Sequence, residues 1–219
     1  MMPLSRPESA SSARRRTQAE RSDESERRLL DATVAVVAGE GVRAATFEAI
    51  GRVAGYSRGL ATQKFGSKDG LIKALIADLH ARQDALLTAH HMDDMPGLEA
   101  ALGYADLYLR DLTENAETRA YFMLMAEAIA DLSALRAAFA ASHETVKQFL
   151  AGFIVRGQRE GAIRAEVDPE AAALMIGTML LGLSVQWLID PTLDVARVRV
   201  ASLETLRLAF AAPARRARG

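Results

Sequence analysis

TFEAIGRVAGYSRGLATQKFGSKDG, residues 46–70, decides how the rest of the chain is read. Thr46 stands just before Phe47, Ile50 and Val53, spaced i, i+3, i+6, so an N-cap is followed by one apolar helical face. The run stops at Gly55, and Ser57 then caps a second short helix in which Ala61 and Phe65 fall at i, i+4. Helix, short glycine turn, helix is the outline of a helix-turn-helix, whose second helix can enter the major groove of DNA. The second helix is polar where a core helix is apolar: Arg58, Thr62, Gln63 and Lys64 project from it. A solvated helix pair on the surface of any all-helical protein meets the same spacing, and both readings stand at this point.

On the N-terminal side, residues 22–38 carry a helical stripe of Leu29, Leu30, Thr33, Val36 and Val37, with Ser22 or Ser25 as cap and Gly39 and Gly41 as terminators. This helix is expected to pack across the two short ones as a three-helix unit with a small core. Residues 1–20, with Pro3, Pro7, a serine run and Arg14, Arg15 and Arg16, have little to bury and read as a flexible basic arm. Such arginines can also reach phosphates or the minor groove. On the C-terminal side, Gly66 and Ser67 make a turn and cap before a long helix with Leu71, Ile72, Leu75, Ile76 and Leu79 on one face, running to about Ala89. Lys68 in its first turn opposes the helix dipole unless an anion, such as a DNA phosphate, lies beside it.

Residues 90–97 (HHMDDMPG) are a break whose spacing matches no metal-ligand pattern, and no metal is expected. Helical stripes follow over about 96–112, 118–130 and 133–160. Asp168, Pro169 and Glu170 then open a helix with a cap, a proline at N1 and an acid in the first turn. Residues 171–189 carry no charge, long enough to raise a membrane span. Acidic flanks and Thr178, Ser184 and Gln186 argue instead for a helix buried on both sides, one of them by a partner chain. A last helix over about 195–211 offers Val200, Leu203, Leu206 and Phe210 as a second sticky face. Two such helices per chain predict a homodimer with a four-helix interface, Gly177 and Gly182 permitting close approach. Residues 212–219 read as a solvated tail.

The composition agrees. Half of the 219 residues are hydrophobic and only 5% are aromatic, which favours helix over sheet. There is no cysteine, which excludes disulfides, thiolate catalysis and cysteine-bound metal. The N-terminal residues show no apolar stretch after a basic start, so no signal peptide is expected there and a cytoplasmic protein is expected. Residues 1–66 hold 11 Lys and Arg against 8 Asp and Glu, while the chain as a whole has a net charge of −1. A basic head on an acidic body suits a reader of polyanions. The fold class is therefore all-α: a three-helix helix-turn-helix head over 21–66 and a larger helical bundle over 67–211, about nine helices in all, with the helix from 67 linking the two.

Residues 25–79 resemble the DNA-binding domain of TetR-type bacterial transcriptional regulators. The likeness is carried by Leu29-Leu30-Asp31-Ala32, Gly41, Thr46, Ile50, Ala54-Gly55-Tyr56-Ser57, Gly59, Phe65, Ser67-Lys68-Asp69 and Leu71. Beyond residue 90 the resemblance is one of layout, with GQREGAIRAEVDPEAAA and the following helix as its clearest part. The sequence departs from the family where a tyrosine and a histidine commonly stand, at Thr62 and Lys64. The resemblance implies roles by position. Arg58 would bond guanine edges, Gln63 adenine, and Thr62 a thymine methyl or a phosphate, while Gly59 allows close approach. Thr46, Tyr56, Ser57, Lys64 and Lys68 would contact phosphates, which set register but not sequence.

The resemblance also implies a larger domain that binds a small apolar effector and thereby shifts two heads out of half-site spacing on a palindromic operator. Phe122, Met125, Phe139, His143, Phe149, Phe153, Met175, Met179 and Trp187 are the candidate pocket wall, although a methionine and aromatic stripe at helical spacing is more often plain core. The expected partners are double-stranded DNA, a second copy through the last two helices and the effector, with no membrane and no cofactor. The alternative is a helical ligand-binding or scaffolding protein without DNA binding. An enzyme is not expected, since no nucleophile–base pair, HExxH, phosphate loop or paired-carboxylate helix stands in the sequence.

Overall fold

A computed structural model describes residues 17–130 and 135–213. Among these the chain forms nine α-helices and one 3-10 turn, and an isolated antiparallel bridge between Ile163 and Ala211. The helices are α1 (Gln18–Glu40), α2 (Phe47–Ala54), α3 (Arg58–Phe65), α4 (Lys68–Ala89), α5 (Gly97–Asp111), α6 (Ala116–Ala130), α7 (Leu135–Arg159), α8 (Pro169–Ile189) and α9 (Val195–Phe210). The 3-10 turn, Val42–Ala44, joins α1 to α2.

Helix α1 begins earlier than its apolar stripe suggests. Thr17 is the N-cap, its hydroxyl accepting from the Glu20 amide while the Glu20 carboxylate accepts from the Thr17 amide. This capping box extends the helix by a turn without burying anything. Ser25, expected as a cap, instead donates to the Ser22 carbonyl inside the helix. Residues 17–20 thus belong to α1 or its cap, while the arginines of the basic arm lie outside the described residues. Of the tail, Ala212 is tied by its amide to the Ala162 carbonyl, and residues 214–219 lie outside the described range.

Two hydrophobic clusters organise the molecule. The first joins Leu29, Val37, Ile50, Ala61, Leu71 and Leu75 of α1–α4 to Phe122, Leu124 and Met125 of α6 and to Leu135 and Phe139 of α7. The head is therefore not closed by three helices alone: α6 packs along α1 and seals it from the body side. The second cluster holds α5, the C-terminal half of α7, α8 and α9, with Leu109, Leu150, Ile154, Ile176 and Leu206 at its centre. Helices α5 and α7 cross at Gly97 and Gly157, where a Cβ on Gly97 would run into the Gly157 amide and the Phe153 carbonyl. Only a residue without a side chain allows that approach.

Helix α8 starts as its sequence dictates, with Asp168 accepting from the Ala171 amide and Pro169 at N1. It packs chiefly on α7 and buries Ala172, Ala173, Ile176, Leu180, Ser184 and Trp187. By length and hydropathy it could cross a bilayer. Leu174, Met175, Val185 and Ile189 of the same helix are exposed. On α9 the expected sticky face is rearranged. Leu206 and Phe210 are buried within the chain and Leu203 packs against the same core. Val200 and Leu208, eight residues apart, are the large apolar residues that this helix leaves exposed.

Candidate nucleic-acid interface and ligand cavity

The turn between α2 and α3 is set by three local features. Gly55 adopts a left-handed conformation, φ 75°, that closes α2. The Tyr56 amide donates back to the Gly51 carbonyl at 2.8 Å. Gly51 itself admits the turn, since a Cβ there would stand 2.8 Å from the Tyr56 carbonyl oxygen. Thr46 caps α2 through the Ala49 amide, and Ser57 caps α3 through the Leu60 amide. Ala61 is fully buried, with half-buried Tyr56 packed on the same cluster.

This geometry leaves Arg58, Gly59, Thr62 and Gln63 exposed on α3. The Thr62 hydroxyl donates to the Arg58 carbonyl at 3.0 Å, which occupies its donor and leaves the methyl free for an apolar contact. Thr46 and Ser57 are exposed at the two helix starts. Two expected phosphate contacts are placed differently. Lys64 turns inward: its ammonium donates to Ser22 at 3.0 Å and pairs with Glu26 at 3.3 Å, and its side chain is only 12% exposed. Lys68 donates to the Val42 carbonyl at 3.0 Å, so part of its conflict with the α4 dipole is relieved inside the protein. Lys68 remains exposed, and Arg43 and Arg52 are further exposed cations of the head that helical patterning alone does not single out.

In the body, a cavity of about 440 Å³ lies among α4, α5, α6, α7 and α8. Phe122 and His143 line it, as expected. The other seven candidates do not. Met125 and Phe139 belong to the head-side core, Phe149 and Phe153 meet edge to face at 4.5 Å between centroids, and Trp187 lies under the Arg119 guanidinium. Met175 is exposed on α8, and Met179 lines a separate surface groove between α8 and α9. Helical spacing does not tell a wall from a core, so the aromatic and methionine stripe is a poor guide to the void.

Residues outside that stripe give the cavity its polar groups. Tyr121 and Ser142 share a hydrogen bond of 2.8 Å, and the Ser142 hydroxyl also bonds His80 Nε2. Burial lowers the pKa of His80, against the opposing charge of Asp84. Burial and then His80 lower that of His143. Arg82, also in the wall, bonds Glu117 of α6 and Asp31 of α1, each at 2.6 Å, and pairs with Asp78 at 2.7 Å. One guanidinium therefore ties the helix that leaves the head to both α1 and α6. Among the described residues no cluster of three or more metal-ligating side chains occurs.

Residues 29–75 match the family of bacterial regulatory proteins named tetR, and residues 98–211 match the C-terminal part of BetI-type transcriptional repressors. No match was found among curated proteins. A putative TetR-family transcriptional regulator from Rhodococcus sp. superposes with a TM-score of 0.75 at 23% identity, over 86% of this chain and 100% of that one. SmeT, the repressor of the Stenotrophomonas maltophilia multidrug efflux pump SmeDEF, gives 0.71 at 21% identity, over 87% and 94%. FadR, a fatty acid degradation regulator from Bacillus halodurans, gives 0.73 at 18% identity, over 84% and 94%. These likenesses establish the fold, and the two sequence matches, which together span the head and most of the body, establish that the chain belongs to the TetR family of bacterial DNA-binding transcriptional regulators.

Proposed function

We propose that the protein is a cytoplasmic repressor that binds a palindromic operator as a homodimer and leaves it when a small, mostly apolar molecule enters the cavity. The observation that carries this reading is the position of α4. The helix follows the exposed face of α3 directly and contributes Leu79, His80, Arg82, Gln83 and Leu86 to the cavity wall. An occupant with different affinity for two head positions would shift the DNA equilibrium through it. The head over 21–66 supplies the DNA contacts. Arg58, Thr62 and Gln63 read bases, with Gly59 allowing approach, and Thr46, Tyr56, Ser57 and Lys68 position the phosphates. The exposed apolar residues of α8 and α9 supply the dimer contact.

The test is salt-dependent binding to DNA upstream of the gene that encodes the protein. Protection of a palindromic site at low salt is expected. No protected site under those conditions would leave a ligand-binding protein without DNA function.

A further inference from the structure

The polar groups of the cavity restrict what it can hold, an inference that rests on reading the cavity as the effector site. Tyr104 of α5 lines the cavity and is 5% exposed, yet its hydroxyl has no hydrogen-bond partner among the described residues. A hydroxyl that lines a cavity without a protein partner is left to water, and a ligand that supplies a partner takes the place of that water. Burial, with the nearby Tyr121 and Asp84, raises the Tyr104 pKa, so the group remains a donor. The cavity's cations are engaged elsewhere: Arg82 with Asp31, Asp78 and Glu117, and Lys147 with Glu144 and Glu170. His80 and His143, which burial keeps neutral, add no charge at neutral pH. An anion would lose its hydration and find no free positive charge. Of the wall's carboxylates, Glu117 is bonded to Arg82, and Asp111 also borders an open outer groove with Asp31 and Glu114. A cation entering the cavity would meet only Glu117, already bonded to Arg82, and Asp111, which the outer groove opens to water.

We propose that the cavity selects an uncharged molecule with an aromatic or aliphatic body and a hydroxyl group that bonds the Tyr104 hydroxyl. Four probes on one skeleton test this by calorimetry on the full chain at neutral pH: naphthalene, naphthol, naphthoate and naphthylmethylamine. Naphthol is expected to bind about 5-fold more tightly than naphthalene and about 10-fold more tightly than either charged probe. Tyr104→Phe, which removes no internal hydrogen bond, should erase the advantage of naphthol over naphthalene and leave naphthalene binding unchanged. The proposal is overturned if a charged probe binds as well as naphthol, if none of the four binds, or if the advantage survives in Tyr104→Phe. Anisotropy with upstream DNA separates the two readings. Selective naphthol binding without DNA binding would sink the repressor and keep the ligand class, and intact DNA binding without selectivity would do the reverse.

Discussion

Arg58 and Lys64 lie six residues apart on one helix, one exposed and the other turned onto α1. Arg58 is exposed, so Arg58→Ala should relax base preference at one operator position, at a cost of about 1–3 kcal/mol in specific binding, as read by anisotropy on a set of single-base variants. Lys64 holds α3 to α1, so Lys64→Ala should lower stability by up to about 1 kcal/mol while the salt slope of DNA binding stays unchanged. A reduced slope would return Lys64 to the phosphates. His80 and His143 titrate below the ordinary histidine value because burial favours the neutral ring. Their contribution is complete above about pH 6.5 and declines as pH falls below it, since the unfolded chain takes up protons first. Calorimetric melting should therefore lose stability from about pH 7 to pH 5 more steeply in the wild type than in a His80→Gln, His143→Gln double variant. The sequence shows that Lys64 is a cation on a polar helix, but not that Glu26, 38 residues earlier, faces it.

At the scale of elements, capping and periodicity make most of the fold legible. Thr46, Ser57, Ser67 and Asp168 all cap helices where their residue type suggests. The start of α1 is harder to read because a polar first turn leaves no apolar trace, although Thr17 and Glu20 spell a capping box. The cavity is illegible for a different reason: its wall is drawn from five helices, and only packing decides which residues of each stripe meet a void. The Gly97–Gly157 crossing is also hidden, since Gly97 reads only as the end of the break over 90–97 and nothing in the sequence pairs it with Gly157. Gly97→Ala should force α5 from α7 and cost about 2–3 kcal/mol in denaturant titration. A change within error would mean that the crossing relaxes freely.

At the scale of the molecule, Ile189 and Leu208 are 74% and 75% exposed, so charging them leaves the core of one chain untouched. Ile189→Glu with Leu208→Glu should convert a dimer to a folded monomer in sedimentation velocity. A dimer that persists would place the contact elsewhere. Helix α4 has a further consequence as a lever. Its 22 residues make a rod of about 33 Å, and the stretch from Gln83 at the cavity to Lys68 at the head spans about 22 Å of it. Arg82, gripping α1 and α6 beside Gln83, sits where a pivot would, with the long arm toward the head. A tilt of about five degrees there would carry the head end about 2 Å, and the two arms of a dimer would move together or apart by about twice that. A side-chain-sized displacement at one end would thus become a misfit between two such heads and successive turns of a DNA groove.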